Sequence, residues 1–597
     1  MRGRSSSRRY HSPVPAKAYT AAVSGFTERI DPTTGEVYWA VEKRGEALID
    51  DPFLNKGTCF TAPERAALAL EGLLPPGVAT EAEQRARAYE NYCRAGDEVQ
   101  RYLFLAALQD RNETLFYRLL LDHIEEMVPI VYTPTVGKVC EQFSHIYRRP
   151  RGLYVSTRHR GRIREVLRGA SPANVRTIVL TDNEAILGLG DLGVGGMPIA
   201  IGKLALYTAG AGIHPSECLP IDLDAGTENQ ALLDDPLYLG VRHPRLRGEA
   251  YASLLDELVD AIRDVYPSAL VQWEDFANRN AFFVLDRYRR RILSFDDDIQ
   301  GTGAVIVAGI RTALRKVGRR LEDERVVFLG AGASGAGCAL AVRAAMHEAG
   351  VPAAELGRRV LCLDSRGLIL ADRPGIEGEK KEIAADPSVI HGWVLARPGS
   401  AGLEEVVRDF APSVLVGASG QPGAFTEVVI RAMHARCARP IVLPISNPTS
   451  KAEATPEDLL RWTGGAAVVG TGSPFAPVSI GGVVHQIGQG NNAFIFPGVG
   501  LGATAVGARW LPDAAFTAAG RALDEETGSA AAPGSPIYPP LRRLRETSVA
   551  VARAVARSLV SEGAADPISG DEIDARILAK MWEPRYRPYR PAAPGNR

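Results

Sequence analysis

The stretch Arg325-Val-Val-Phe-Leu329-Gly330-Ala331-Gly332-Ala333-Ser-Gly335, running into an Ala-rich segment that reaches residue 349, constrains this chain more than any other. It reads as a short β-branched strand, a glycine turn and a helix. In that order Gly330 allows the tight turn, Gly332 lets backbone approach a pyrophosphate, and Gly335 lets the helix pack close to the strand. The helix N-terminus then faces the phosphates. Three spaced glycines alone are a weak signal, because any α/β domain can carry a Gly-rich turn. Here the next strand, 359–363, runs into Asp364, where an acid suits the ribose 2′-hydroxyl of NAD. The nearby Ser365, Arg366, Lys380 and Lys381 suit the 2′-phosphate of NADP, or are solvated loop residues. Strands at 413–416, 440–445 and 466–469 continue the alternation with helices. That rhythm predicts a parallel, doubly wound sheet.

At 597 residues the chain has room for three to four folding units of about 150 residues. Its 69 basic and 70 acidic side chains nearly cancel, which argues against a nucleic-acid binder. No apolar run approaches the length of a membrane helix. The seven cysteines are odd in number and form no Cys-x-x-Cys pair, so a reducing compartment, the cytoplasm, is expected. The Arg/Ser-rich start, 2–9, has no apolar core and reads as a floppy leader rather than a signal. Apolar residues three and four apart predict helices over 63–74, 81–108 and 114–127. The expected layout is a partly disordered leader (1–52), a helical region (53–130), an α/β substrate-and-metal domain (131–300), a Rossmann-type NAD(P)-binding domain (301–490), and a segment returning to the substrate domain (491–597).

Two acidic clusters follow predicted strands: Glu274 and Asp275 after 269–273, and Asp296, Asp297 and Asp298 after 291–295. Strand C-termini are where α/β sheets gather ligands, and carboxylates converging there call for a hard cation such as Mg²⁺ or Mn²⁺. Lys203 interrupts an apolar helix. Either it snorkels to a surface, or burial lowers its pKa and makes it a base. Tyr132 stands beside Pro134 and Gly137, which predict a turn, and taken singly it reads as packing. Asn447 follows a predicted strand, and Asn491 and Asn492 close the amide-rich stretch 488–492; Asn near strand ends either binds carboxylates and amides or closes turns.

Together these segments resemble the malic enzyme family. The match is carried by Tyr132-Thr-Pro-Thr-Val-Gly137, Arg149-Pro-Arg-Gly-Leu153, Gly188-Leu-Gly-Asp-Leu-Gly193, Ile201-Gly-Lys203, Trp273-Glu-Asp-Phe276, Asp297-Asp-Ile-Gln-Gly301, Gly330-Ala-Gly332, Ser446-Asn-Pro-Thr449 and Gly488-Gln-Gly-Asn-Asn492, in family order. The resemblance implies oxidative decarboxylation of L-malate to pyruvate and CO₂ with NAD(P)⁺ and Mn²⁺ or Mg²⁺, in a homodimer or homotetramer. It implies Glu274, Asp275 and Asp298 as metal ligands, Lys203 as general base partnered by Asp297, and Tyr132 as general acid. It further implies Asn447 and Asn492 as substrate contacts, and Asn278, the Gly330 turn and Asn491 as cofactor contacts.

One departure matters. Ala185 stands in Thr181-Asp-Asn-Glu-Ala185, where many family members carry an Arg that grips a substrate carboxylate. Malolactic enzymes, close relatives, also have a small residue there, and other segments lean toward that bacterial branch. Asp364-Ser-Arg-Gly is similar to NADP-using members, so NADP is the favoured cofactor on sequence. The alternatives are a malolactic enzyme with bound NAD, and a nucleotide-binding sensor without catalysis.

Overall fold

The computed structural model describes residues 25–170, 174–397, 399–528 and 532–592. The Arg/Ser-rich stretch 2–9 lies outside them. The expectation of a leader through residue 52 is corrected from residue 25 onward. Phe26–Ile30 (β1) and Val37–Val41 (β2) form an antiparallel hairpin. Its turn closes where Thr33 and Thr34 donate backbone N–H groups to Asp31 Oδ1. Tyr589–Pro591, near the other end of the chain, adds a third strand parallel to β2. Trp39 stacks between Phe26 and Tyr589 at centroid distances of 4.2 and 5.6 Å. The partner strand lies so far away in sequence that no local pattern announces this sheet.

Two further expectations are corrected in detail. The long helix over 81–108 is two, Glu81–Arg94 and Glu98–Gln109, because Asp97 breaks the run and caps the second by accepting from Gln100 N–H at 2.8 Å. Apolar spacing continues on both sides of the break and hides it. Likewise 63–74 is helical only over Ala62–Ala67.

The middle of the chain forms a five-stranded parallel sheet from Leu153–Ser156 (β3), Thr177–Thr181 (β4), Cys218–Asp224 (β5), Leu270–Trp273 (β6) and Ser294–Asp296 (β7). Its order is β3-β5-β4-β6-β7. The central β4 and β6 are fully buried, and β4 is a near-continuous apolar run. The apolar helix Met197–Ala211 packs on β4 and β5.

The second sheet contains Val326–Leu329 (β8), Val360–Asp364 (β9), Gly367–Leu368 (β10), Val414–Gly417 (β11), Ile441–Pro444 (β12) and Val468–Thr471 (β13), with Gly488–Gln489 at one edge. Its order runs β10-β9-β8-β11-β12-β13, all parallel except β10. The chain therefore reverses direction across the sheet between β8 and β11, a crevice that α/β folds use for ligands. Beyond it, Phe496–Val506 and Leu544–Ser561 pack on each other and on Met197–Ala211, while Asp513–Thr527 packs on Thr302–Val317. Among the described residues no helix is long and apolar enough to cross a membrane.

Candidate active site

A cleft of about 870 Å³ opens where the C-terminal ends of both sheets face each other. On one wall β6 ends at Glu274 and Asp275, and β7 ends at a wide helical turn, Asp297–Gly301. Oxygens of Glu274, Asp275 and Asp298 lie within 4.8 Å of one another. Asp298 Oδ2 accepts the Asp275 backbone N–H at 2.8 Å. Asp275 takes a left-handed backbone (φ 55°), anchored by its carbonyl to Ala185 N–H at 3.1 Å. Burial and mutual repulsion raise all three carboxyl groups above the usual range. Asp275 Oδ2 is buried with no hydrogen-bond partner. An all-oxygen set of three acids with an unsatisfied buried atom fits a hard divalent cation. Asp296, by contrast, uses Oδ1 to cap the turn at Ile299 N–H, 2.9 Å.

Lys203 does not snorkel: it is 1% exposed, from the middle of Met197–Ala211. Its Nζ lies 2.5 Å from Asp297 Oδ2 and 2.8 Å from Glu274 Oε1. Burial pulls its pKa down, but the two carboxylates outweigh burial and hold it well above the ordinary value. The expectation that burial alone makes Lys203 a base is therefore corrected, and the unit to consider is the Lys203–Asp297 pair. Asn492 Nδ2 braces that pair, donating to Asp297 Oδ2 (3.0 Å) and Thr302 Oγ1 (2.9 Å), and the residue lines the cleft. Glu274 Oε2 accepts from Gln272, whose own oxygen is held by Tyr207 at 2.6 Å.

Tyr132 lies with its ring 5.4 Å from Lys203 Nζ, at the C-terminus of helix Ile124–Val131. Gly137 is inside the next helix, Thr135–Glu141, and not in the turn expected from sequence. Burial raises the Tyr132 phenol far above its ordinary value, so it keeps its proton.

The opposite wall is the glycine turn. At Gly330 (φ 107°) a Cβ would lie 2.2 Å from the Ala418 carbonyl oxygen, and at Gly335 2.2 Å from that of Gly330. Ala331, Gly332 and Ala333 line the cleft beside them. Asn278, which lines the cleft, accepts Ala333 N–H on Oδ1 at 2.7 Å and so caps the helix that follows the glycine turn. Asp364 accepts two hydrogen bonds from Arg373 (2.6 and 3.0 Å) and one from Lys380 (2.8 Å). Burial pushes its carboxyl up, but these cations prevail and hold it at about 2. Ser365 lines the cleft, whereas Arg366 is exposed and does not. Arg373, nine residues past Asp364, went unread because no spacing rule marks it. Asn447 Oδ1 accepts from Ser473 Oγ at 2.5 Å, which leaves Nδ2 as a donor. Asn491 lines the cleft and uses Oδ1 on Ala493 N–H. Ala185 lines it too, and Lys203 and Lys380 are the cations on its walls.

Residues 109–289 match the family model described as malic enzyme, N-terminal domain, and 299–560 that described as malic enzyme, NAD binding domain. The NAD-dependent malic enzyme of Sodalis glossinidius is 48% identical over 546 residues, 92% of this chain and 96% of that one. The enzyme so named in Aeromonas hydrophila is 46% identical over the same shares. The fold is similar to the crystal structure of Entamoeba histolytica malic enzyme, with 23% identity and a TM-score of 0.55 over 87% of this chain and 92% of that one. The Pyrococcus horikoshii malic enzyme, also 23% identical, gives a TM-score of 0.52 over 76% and 89%. With two domain models matched in order and relatives near half identity across almost its whole length, this chain belongs to the malic enzyme family.

Proposed function

We propose that this chain oxidatively decarboxylates L-malate to pyruvate and CO₂ while reducing NAD, with a divalent ion held by Glu274, Asp275 and Asp298. The observation that carries this reading is the Lys203–Asp297 pair beside three clustered acids, on the same cleft as the Gly330 turn. When bound, NAD supplies a hydride acceptor and the divalent ion a charge that polarises the C2 oxygen and, after CO₂ leaves, the enolate.

The other roles fall to the chain itself. A proton passed from Lys203 Nζ to Asp297 Oδ2 leaves an amine able to take the substrate hydroxyl proton. Asn492 keeps Asp297 turned toward the lysine. Tyr132, still protonated, donates to C3. Asn447 Nδ2 offers a hydrogen bond to a substrate carboxylate, part of what an Arg at position 185 would supply. Mn²⁺ and Mg²⁺ both suit the oxygen ligands.

NAD is the better reading of the cofactor. An ionised Asp364 places negative charge where a 2′-phosphate would approach, and the relatives named above are NAD-dependent. The earlier preference for NADP rests on Asp364-Ser-Arg-Gly, and Arg366 points to solvent rather than the cleft. A cytoplasmic homo-oligomer fits seven free cysteines and the family, with light scattering as the check on assembly.

Malate, Mn²⁺ and each dinucleotide in one assay test the proposal. Pyruvate with stoichiometric reduced NAD supports it. Lactate without net reduction supports the malolactic alternative that Ala185 favours. Binding of NAD without turnover points to the sensor.

A further inference from the structure

Glu453 lies behind the cleft yet ties two of its walls together. It is 0% exposed. Its Oε1 accepts the Ser419 backbone N–H at 2.7 Å, Ser419 Oγ at 2.8 Å and Ser446 Oγ at 2.6 Å. Ser446 Oγ in turn accepts Gly420 N–H at 2.9 Å, and Ser419 Oγ accepts Gln421 N–H at 3.3 Å. One carboxylate thus joins the loop after β11 to the loop after β12, and both loops line the cleft. It fits there because residue 417 is glycine: a Cβ at Gly417 would lie 2.6–2.7 Å from the end of the Glu453 side chain.

All three partners donate, as they do to an ionised carboxylate. Glu453 Oε2 is buried with no partner, and no ion pair to Glu453 occurs among the described residues. A buried charge of this kind is costly unless a positive group compensates it. The loop after β11 abuts the Gly330 turn, where a Cβ would lie 2.2 Å from the Ala418 carbonyl oxygen, and the loop after β12 abuts Gly188 on the facing wall, where a Cβ would lie 2.8 Å from the Asn447 carbonyl oxygen. The end of a dinucleotide that reaches there from the glycine turn is the nicotinamide, a cation when oxidised and neutral when reduced.

We infer that Glu453 is a positioning residue for the nicotinamide end of the cleft, and that its buried charge makes the cleft favour the oxidised over the reduced dinucleotide. This rests on the NAD-dependent reading above. A carboxylate acting through one layer of hydroxyl groups in a poorly screened interior is worth about tenfold in relative affinity.

The test uses the full chain as parent, Glu453→Gln and Ser446→Ala. Kd for NADH is read from its fluorescence, Kd for NAD by competition, malate turnover with Mn²⁺ on the same samples, and folding by thermal melting. Glu453→Gln is expected to lose about tenfold in NAD affinity while NADH affinity stays within about twofold. Ser446→Ala loosens a loop but leaves the charge, so both affinities fall together and their ratio holds. A folded Glu453→Gln with an unchanged ratio overturns the inference alone, provided the parent binds both forms and turns over malate. A parent that binds NADH about tenfold more tightly than NAD overturns it without any variant, should Glu453→Gln not fold. A parent that binds neither form overturns the dinucleotide reading and this inference with it.

Discussion

Replacing Lys203 by Met separates its chemical role from its structural one. Met keeps a long unbranched side chain and removes the cation that lies 2.5 Å from Asp297 and 2.8 Å from Glu274. Loss of the group that exchanges the hydroxyl proton should lower kcat by about a hundred- to ten-thousand-fold. The effect on metal runs the other way, because ammonium and divalent ion compete for the Glu274 carboxylate. At an effective dielectric of about 20, the attraction across 2.8 Å is about 6 kcal/mol gross. Desolvation offsets most of it. A remainder of about 1.4 kcal/mol would make Mn²⁺ bind about tenfold more tightly to the variant than to the parent. Without metal, two buried carboxylates are left facing each other, and the variant should lose about 3–5 kcal/mol of stability. Steady-state turnover of malate gives kcat, and the resonance of free Mn²⁺ gives the affinity. A kcat within about threefold of the parent would remove Lys203 from the proton transfer. A loss of Mn²⁺ binding would mean that the lysine holds the acids in place instead of competing for them.

Other substitutions read other parts of the cleft. Gly330→Ala places a Cβ 2.2 Å from the Ala418 carbonyl oxygen at φ 107°, so NADH fluorescence titration should find binding weakened by at least about tenfold, or about 1.4 kcal/mol; affinity equal to the parent's would show that the turn does not touch the dinucleotide. Asp364→Asn removes the carboxylate but leaves Arg373 and Lys380, so kcat/KM should move toward NADP by about tenfold relative to NAD; an unmoved ratio would place the 2′ position elsewhere. Burial holds His214 down to about 4, beside Trp582 at 5.2 Å and Ser216 Oγ at 2.7 Å. The unfolded chain takes up that proton near pH 6.5 and the folded one does not, so this contribution is complete above pH 6.5 and is lost as pH falls toward 4. It amounts to about 3 kcal/mol. Melting at pH 7 and pH 5 should show a fall in the parent that His214→Phe lacks, and parallel falls would refute the assignment.

The parts of this molecule that sequence made legible are those in which one short segment carries both its own fold and its own chemistry. The run from Val326 to Gly335 is a strand, a turn and a helix start whose glycines are dictated by backbone contacts within the same unit, such as Gly335 against Gly330. Glu274 and Asp275 follow directly from β6, and Asp298 from β7, so their convergence needs only that the two strands be neighbours. What stayed hidden depends on segments meeting across the chain. Lys203 and Asp297 are 94 positions apart, and although the family resemblance implies that they pair, neither an apolar helix nor an acidic triplet announces their 2.5 Å contact. Burial alone would have made the lysine a weak cation, and its carboxylate neighbours reverse that sign. Asn278 lines the cleft beside the glycine turn, and the bond by which its Oδ1 also holds Ala333 N–H could not be read from sequence. Asn492 lines the cleft, and the bonds from its Nδ2 to Asp297 and Thr302 were likewise not legible in sequence. The terminal sheet is the limiting case, since Trp39 is covered by Tyr589 from the far end of the chain. Motif spacing and family resemblance therefore pointed to residues that line one cleft, while the tertiary contacts that set their charge and orientation came only with the fold.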